Sequence, residues 1–146
     1  MSRFTMIALA ALSSAVLAAS SSASRYAPGK PVTVQMQGPS CSVTASAPVF
    51  ISSRRGWVMD YGGGVSCARG LGEKTLQVCD QVKHSSKWLT IKGSCVDQGP
   101  LTSNPVRLKD KRTVFLGHAY RVHAAGEVQF STLSGSAVAN GGAFAP

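Results

Sequence analysis

The most constraining feature of this chain is a two-residue rhythm of apolar and polar positions that carries cysteines with it. In Cys41-Ser42-Val43-Thr44-Ala45 the apolar residues fall on odd positions, and Trp57, Met59, Tyr61, Val65 and Cys67 repeat that parity. Alternate side chains of a strand project to opposite faces of a sheet, so each run must lay one face on a core. Between them, Ser52-Ser53-Arg54-Arg55-Gly56 reads as a turn. Folding there sets Val43 against Val65, Val49 against Met59 and Ile51 against Trp57, with Cys41 facing Cys67 on the apolar side.

The rhythm continues downstream. Leu76, Val78 and Val82 alternate with Gln77 and Gln81, and Trp88-Leu89-Thr90-Ile91 follows the polar loop His84-Ser85-Ser86-Lys87. From His118 to Phe130 the even positions hold His118, Tyr120, Val122, Ala124, Gly126, Val128 and Phe130, while Arg121, His123, Glu127 and Gln129 stand on the odd ones. Ala137-Val138-Ala139 reads as a last edge strand, and Asn140 to Pro146 as a loose tail. No helical period appears. Seven or eight short strands at turn spacings of about ten residues predict an all-β fold, an antiparallel sandwich rather than a barrel or an α+β domain.

The first residues are of another kind. Arg3 precedes an apolar stretch from Met6 to Ala19, and small residues follow through Ser24. That order is the pattern of an export signal, with residues 1–23 as signal peptide and 24–146 as one β-sandwich domain. The stretch is too short to span a bilayer comfortably, and no 18-residue apolar run follows it, so the mature chain has no transmembrane segment. Export makes the four cysteines a disulfide framework rather than a metal site: they lie 26, 12 and 16 places apart, with no C-x-x-C. Parity favours Cys41–Cys67. Cys79–Cys95 then closes around a turn near Lys87, the rival pairing being Cys67–Cys79.

The run Tyr61-Gly62-Gly63-Gly64-Val65-Ser66-Cys67, then Thr75-Leu76-Gln77-Val78-Cys79-Asp80-Gln81-Val82, Trp88, and Gly117-His118-Ala119-Tyr120-Arg121-Val122 resemble small exported bacterial β-sandwich proteins of no assigned function. The resemblance implies an immunoglobulin-like sandwich and an extracellular location. It brings no catalytic residues with it.

Chemistry is sparse. Six acids, Asp60, Glu73, Asp80, Asp97, Asp110 and Glu127, suggest no glycosidase pair, and there is no G-x-S-x-G, H-E-x-x-H or phosphate-binding loop. Gly62-Gly63-Gly64 inside a strand reads as a bulge or flattened segment. Arg121, His123 and Glu127 share the wet face of one strand and define the enzymatic alternative, a small ribonuclease-like hydrolase. His123 and Glu127 would stand about 13 Å apart along it. Fifteen Lys and Arg against six Asp and Glu give a net charge of +9, or +8 once Arg3 leaves with the leader. Such a surplus suits anionic partners. The candidate anion-binding loops are Arg54-Arg55 and Lys109-Asp110-Lys111-Arg112, with Arg69 and Lys74 in a third. The function expected is thus a secreted, non-catalytic binding domain without cofactor, for an anionic cell-envelope polymer or an extracellular protein and no specific nucleic acid; a secreted enzyme inhibitor is a further alternative on the same scaffold. Mass spectrometry of the exported protein is expected to give Ser24 or Arg25 as the first residue, and an intact Met1 on material from the medium would refute the leader.

Overall fold

The computed structural model describes residues 25–26, 29–69 and 72–141; the expected leader with its expected cleavage site, and residues 142–146, lie outside the described residues. Among these, eleven strands and no helix are found. They are β1 (Arg25–Tyr26), β2 (Val32–Gln35), β3 (Cys41–Ala45), β4 (Val49–Ser53), β5 (Gly56–Cys67), β6 (Glu73–His84), β7 (Lys87–Thr90), β8 (Val96–Leu101), β9 (Val106–Val114), β10 (Tyr120–Gln129) and β11 (Ser134–Gly141). All pairing is antiparallel.

Two sheets form, each built on one 12-residue strand. In the first sheet β3 and β4 lie end to end along one edge of β5, extended outward by β2 and β1, while β9 takes the other edge. In the second, β7 and β8 lie end to end along one edge of β6, and β10 then β11 take the other. Core residues come from facing parities of the two: Val43, Met59, Tyr61 and Val65 from the first sheet, and Leu76, Val78, Tyr120, Val122, Ala124 and Val128 from the second, all nearly or wholly buried.

Cys41 pairs with Cys67 and Val43 with Val65, as the alternation predicts. Further along, the register differs by one residue. Phe50 faces Met59 and Ile51 faces Val58, so Phe50 is fully buried while Val49 and Ile51 turn to the other side. The cause is a bulge: Ser46, Ala47 and Pro48 oppose only Tyr61 and Gly62, and Pro48 has no N–H to offer the ladder. The glycine triplet itself runs straight through β5.

Two expected loops are strands or core. Lys109-Asp110-Lys111-Arg112 lies within β9, and Lys74 is wholly buried in β6, its Nζ donating to the Gly72 carbonyl at 3.1 Å. Lys74 covers its ammonium with backbone carbonyls, which periodicity does not reveal. The last strand is also longer than expected, with Asn140 paired to His123 and Gly141 to Val122.

Both disulfides are those expected, Cys41–Cys67 and Cys79–Cys95, with Cα separations of 4.0 and 4.1 Å. Each joins neighbours within one sheet. Cys41–Cys67 faces the core, whereas Cys79 shares the outward parity of Gln77 and Gln81.

The sheets approach most closely at glycine. A Cβ on Gly126 of β10 would sit 2.6 Å from methyls of both Val43 and Val65. On Gly64, facing outward, it would meet nothing nearer than 3.4 Å. Gly126→Ala is therefore expected to lose about 1–3 kcal/mol by overpacking, and Gly64→Ala none; urea unfolding of both variants checks the contrast, and equal losses would refute this packing.

Candidate functional site

The outward face of the first sheet carries a groove of about 830 Å³. Parity creates it. With Met59, Tyr61 and Val65 buried, Asp60, Gly62, Gly64 and Ser66 must face out, and two of these four have no side chain. The floor is therefore open backbone at half-buried Gly64, while Gly62 is buried against β9. On one side rise Thr44 and Ser46, with Pro31, Ala47 and Val49 beside them.

The other wall is β9. Its register sets Arg107 opposite Gly64, Lys109 opposite Gly62 and Lys111 opposite Asp60. All three are exposed and line the groove, one per two residues, thus roughly 6.6 Å apart along the strand. Their stems lean toward the glycines: a Cβ on Gly62 would lie 3.3 Å from Lys109 Cγ, and one on Gly64 3.5 Å from Arg107 Cγ. Asp60, beside Lys111, contributes one carboxylate, whose Oδ1 is buried without a hydrogen-bond partner.

Beneath this wall the inward residues of β9 form a second, enclosed polar group. The Tyr61 hydroxyl donates to the Ser94 carbonyl at 2.7 Å and lies 3.2 Å from Asp110 Oδ2. Burial, then the neighbouring Asp110 carboxylate, push the Tyr61 phenol up to about 12. Arg112, expected in an anion-binding loop, instead points inward and donates to the Lys92 carbonyl at 3.3 Å. Asp80 of β6 is fully buried and neither carboxyl oxygen has a hydrogen-bond partner; desolvation pushes it up to about 7 against the pull of Arg112.

Among the other expected residues, Arg54 and Arg55 are exposed at the β4–β5 turn, away from the groove. Arg121, His123 and Glu127 share one face as expected but are not brought together. Arg121 donates from Nε to Gln81 at 2.7 Å and stacks on Trp88, its guanidinium carbon 4.6 Å from the ring centre. His123 Nδ1 sits 2.7 Å from Asn140 Oδ1. Glu127 opens with Glu73 into a separate hollow of about 680 Å³, lined by neither Arg121 nor His123. Sequence reasoning missed Arg107, whose spacing of two from Lys109 and Lys111 was the available signal, and the buried Asp80, for which alternation with Val78 and Val82 was the clue. Comparison of the chain with family models, with curated proteins and with solved structures found no match.

The environment of Asp80 has a measurable consequence. Its carboxyl titrates near 3.8 when unfolded and near 7 when folded, so the protonated form favours the fold. That contribution is fully present below about pH 4, falls as pH rises and is gone above about 7. Asp80→Asn is expected to flatten this fall and to stabilise the protein at pH 8 by on the order of 2–4 kcal/mol. Denaturant midpoints of both proteins from pH 4 to about 8 test it; parallel curves would refute the assignment.

Proposed function

We propose that the mature chain is an exported, non-catalytic binding domain whose basic groove takes up a linear polyanion of the cell envelope. One observation carries this reading: Arg107, Lys109 and Lys111 stand in file along a groove whose floor lies open at Gly64. A floor without side chains admits an extended chain close to the backbone, and evenly spaced cations suit a ligand with evenly repeated charge. Asp60 and Asp110, which also line the groove, leave it a net charge of +1 when set against those three cations.

Two closed disulfides suit an oxidising compartment, which supports export. The immunoglobulin-like assignment and the kinship with exported sandwich proteins belong to the same proposal. Paired antiparallel sheets around one core support them, although both disulfides join strands within a sheet and neither bridges the two sheets. The separate engagement of Arg121 and His123 favours binding over catalysis.

Binding to a poly(glycerol phosphate) chain is expected to weaken steeply with salt. Replacing Arg107, Lys109 and Lys111 with alanine is expected to reduce the slope of log K against log salt by about 0.7 per cation, roughly 2 in all. Gly64→Val, whose Cβ fits the sheet but whose methyls fill the groove, is expected to lower affinity at least tenfold with charge unchanged. Titration calorimetry at several salt concentrations reads both effects. Unaltered affinity in the two variants would refute the groove as the binding site.

A further inference from the structure

We propose that the end of the sandwich bearing Phe115 and Leu116 is a docking tip for anionic lipid bilayers, distinct from the groove. Phe115 is 71% exposed and Leu116 58%, the two most exposed large apolar side chains among the described residues. They sit side by side in the loop between β9 and β10. That loop is held rather than loose. The Tyr120 hydroxyl accepts from the Phe115 N–H at 2.9 Å and reaches the Phe115 carbonyl at 3.3 Å. Tyr120 is buried against Phe50, with ring centres 6.3 Å apart. A buried anchor thus fixes the backbone of a residue whose side chain stays in water. Gly117, at φ +82°, makes the turn beyond it, with open space around the position of a Cβ.

Register brings cations level with this loop from both sheets. The last β9–β5 pair is Val114 with Trp57, so Phe115 stands beside Gly56 and next to the exposed turn Arg54-Arg55. In the other sheet Tyr120 pairs with Val82, and the Lys83 N–H donates to the Ala119 carbonyl. That sets exposed Lys83, His84 and Lys87 around His118. The carboxylates nearest this end are Asp80, two residues inward from Val82 but fully buried, and two more distant ones. Asp60 lies four residues inward from Gly56 and Asp110 four from Val114, each about 13 Å along its strand. Glu73 and Glu127 are at the opposite end, where β6 begins and β10 finishes.

A convex apolar pair inside a cationic border, at the end of the strand axis farthest from Glu73 and Glu127, complements a planar surface with a negative headgroup layer over an apolar interior. Phe115 and Leu116 would enter the acyl boundary while Arg54, Arg55, Lys83 and Lys87 meet phosphates. A protein partner would need an acidic rim around an apolar pocket, and a second copy would have to set this basic tip against itself; the charge argues for lipid over both.

Cosedimentation with vesicles of phosphatidylcholine alone and of phosphatidylcholine with an equal share of phosphatidylglycerol tests the proposal. The protein is expected to bind only the anionic vesicles. Phe115→Ser with Leu116→Ser, both at exposed positions with the backbone anchor kept, is expected to cut partitioning at least tenfold, and Arg54→Ala with Arg55→Ala about tenfold or more. The alanine variant of Arg107, Lys109 and Lys111 separates this site from the groove. Failure of the groove leaves the tip standing, and the reverse holds too. No binding to anionic vesicles, equal binding to neutral ones, or binding indifferent to Phe115→Ser with Leu116→Ser would each overturn the proposal. So would a dimer in vesicle-free solution that the same serine variant dissolves, which would give the tip to a second copy.

Discussion

The groove on the first sheet follows from the parity of β5, and the Cys41–Cys67 bond holds that parity. A strand shifted by one residue exchanges its faces, so a slip would bury Asp60 and Ser66 and expose Met59 and Tyr61. The disulfide closes a loop of 26 residues at directly paired positions. By loop entropy it contributes about 3–4 kcal/mol, and Cys79–Cys95, closing 16, about 3. Against a typical net stability of 5–15 kcal/mol these are large shares. The need is visible in the core, which relies largely on valine and alanine, with Phe50, Met59, Tyr61, Leu76 and Tyr120 chief among its larger side chains.

Small core residues also explain how closely the sheets sit. Gly63 of β5 faces Ala124 and Val78 across the interior, and Gly126 of β10 faces Val43 and Val65. Within one triplet, Gly63 thus serves the interior, while its neighbours Gly62 and Gly64 leave the outer face bare. Of those two, Gly62 is constrained by the sheet, since a Cβ there would meet the Leu108 carbonyl at 2.6 Å; Gly64 is not. Nothing in sheet packing requires glycine at position 64, whereas an unobstructed groove does.

What was legible in the residues was whatever alternates. The strands around Cys41, Met59, Val78 and Val122, both disulfides and the two-sheet architecture could be read because each has one apolar face. The bulge at Ser46-Ala47-Pro48 was hidden, because Val49 and Ile51 continue the expected parity while Phe50 takes the core. Strand β9 was hidden for a different reason. Arg107, Lys109 and Lys111 alternate with Leu108, Asp110 and Arg112, and a strand that turns a half-buried acid and base to its inner side resembles a charged loop. The groove inherits that blindness, since its cationic wall is this strand and its floor is glycine, and neither has an apolar signature.

The strand that resisted reading is also the one that links the two surfaces. On β9, outward cations run from Arg107 to Lys111, and three residues beyond Lys111 the strand ends at Val114, handing over to Phe115 and Leu116. Its inner side packs Val106 and Val114 into the core and meets Tyr61 and the Asp80 region through Asp110 and Arg112, so the wall is braced from within by apolar packing and polar contacts together. An edge strand rich in lysine and arginine has a simpler use, which is to discourage pairing with other chains. That use accounts for positive charge on β9 in general. It does not account for the glycine across the register from Arg107, nor for an aromatic side chain kept in water by a buried tyrosine. Those two features are what the proposed recognition adds to a protective edge, along the strand axis from the open floor at Gly64 toward the apolar tip.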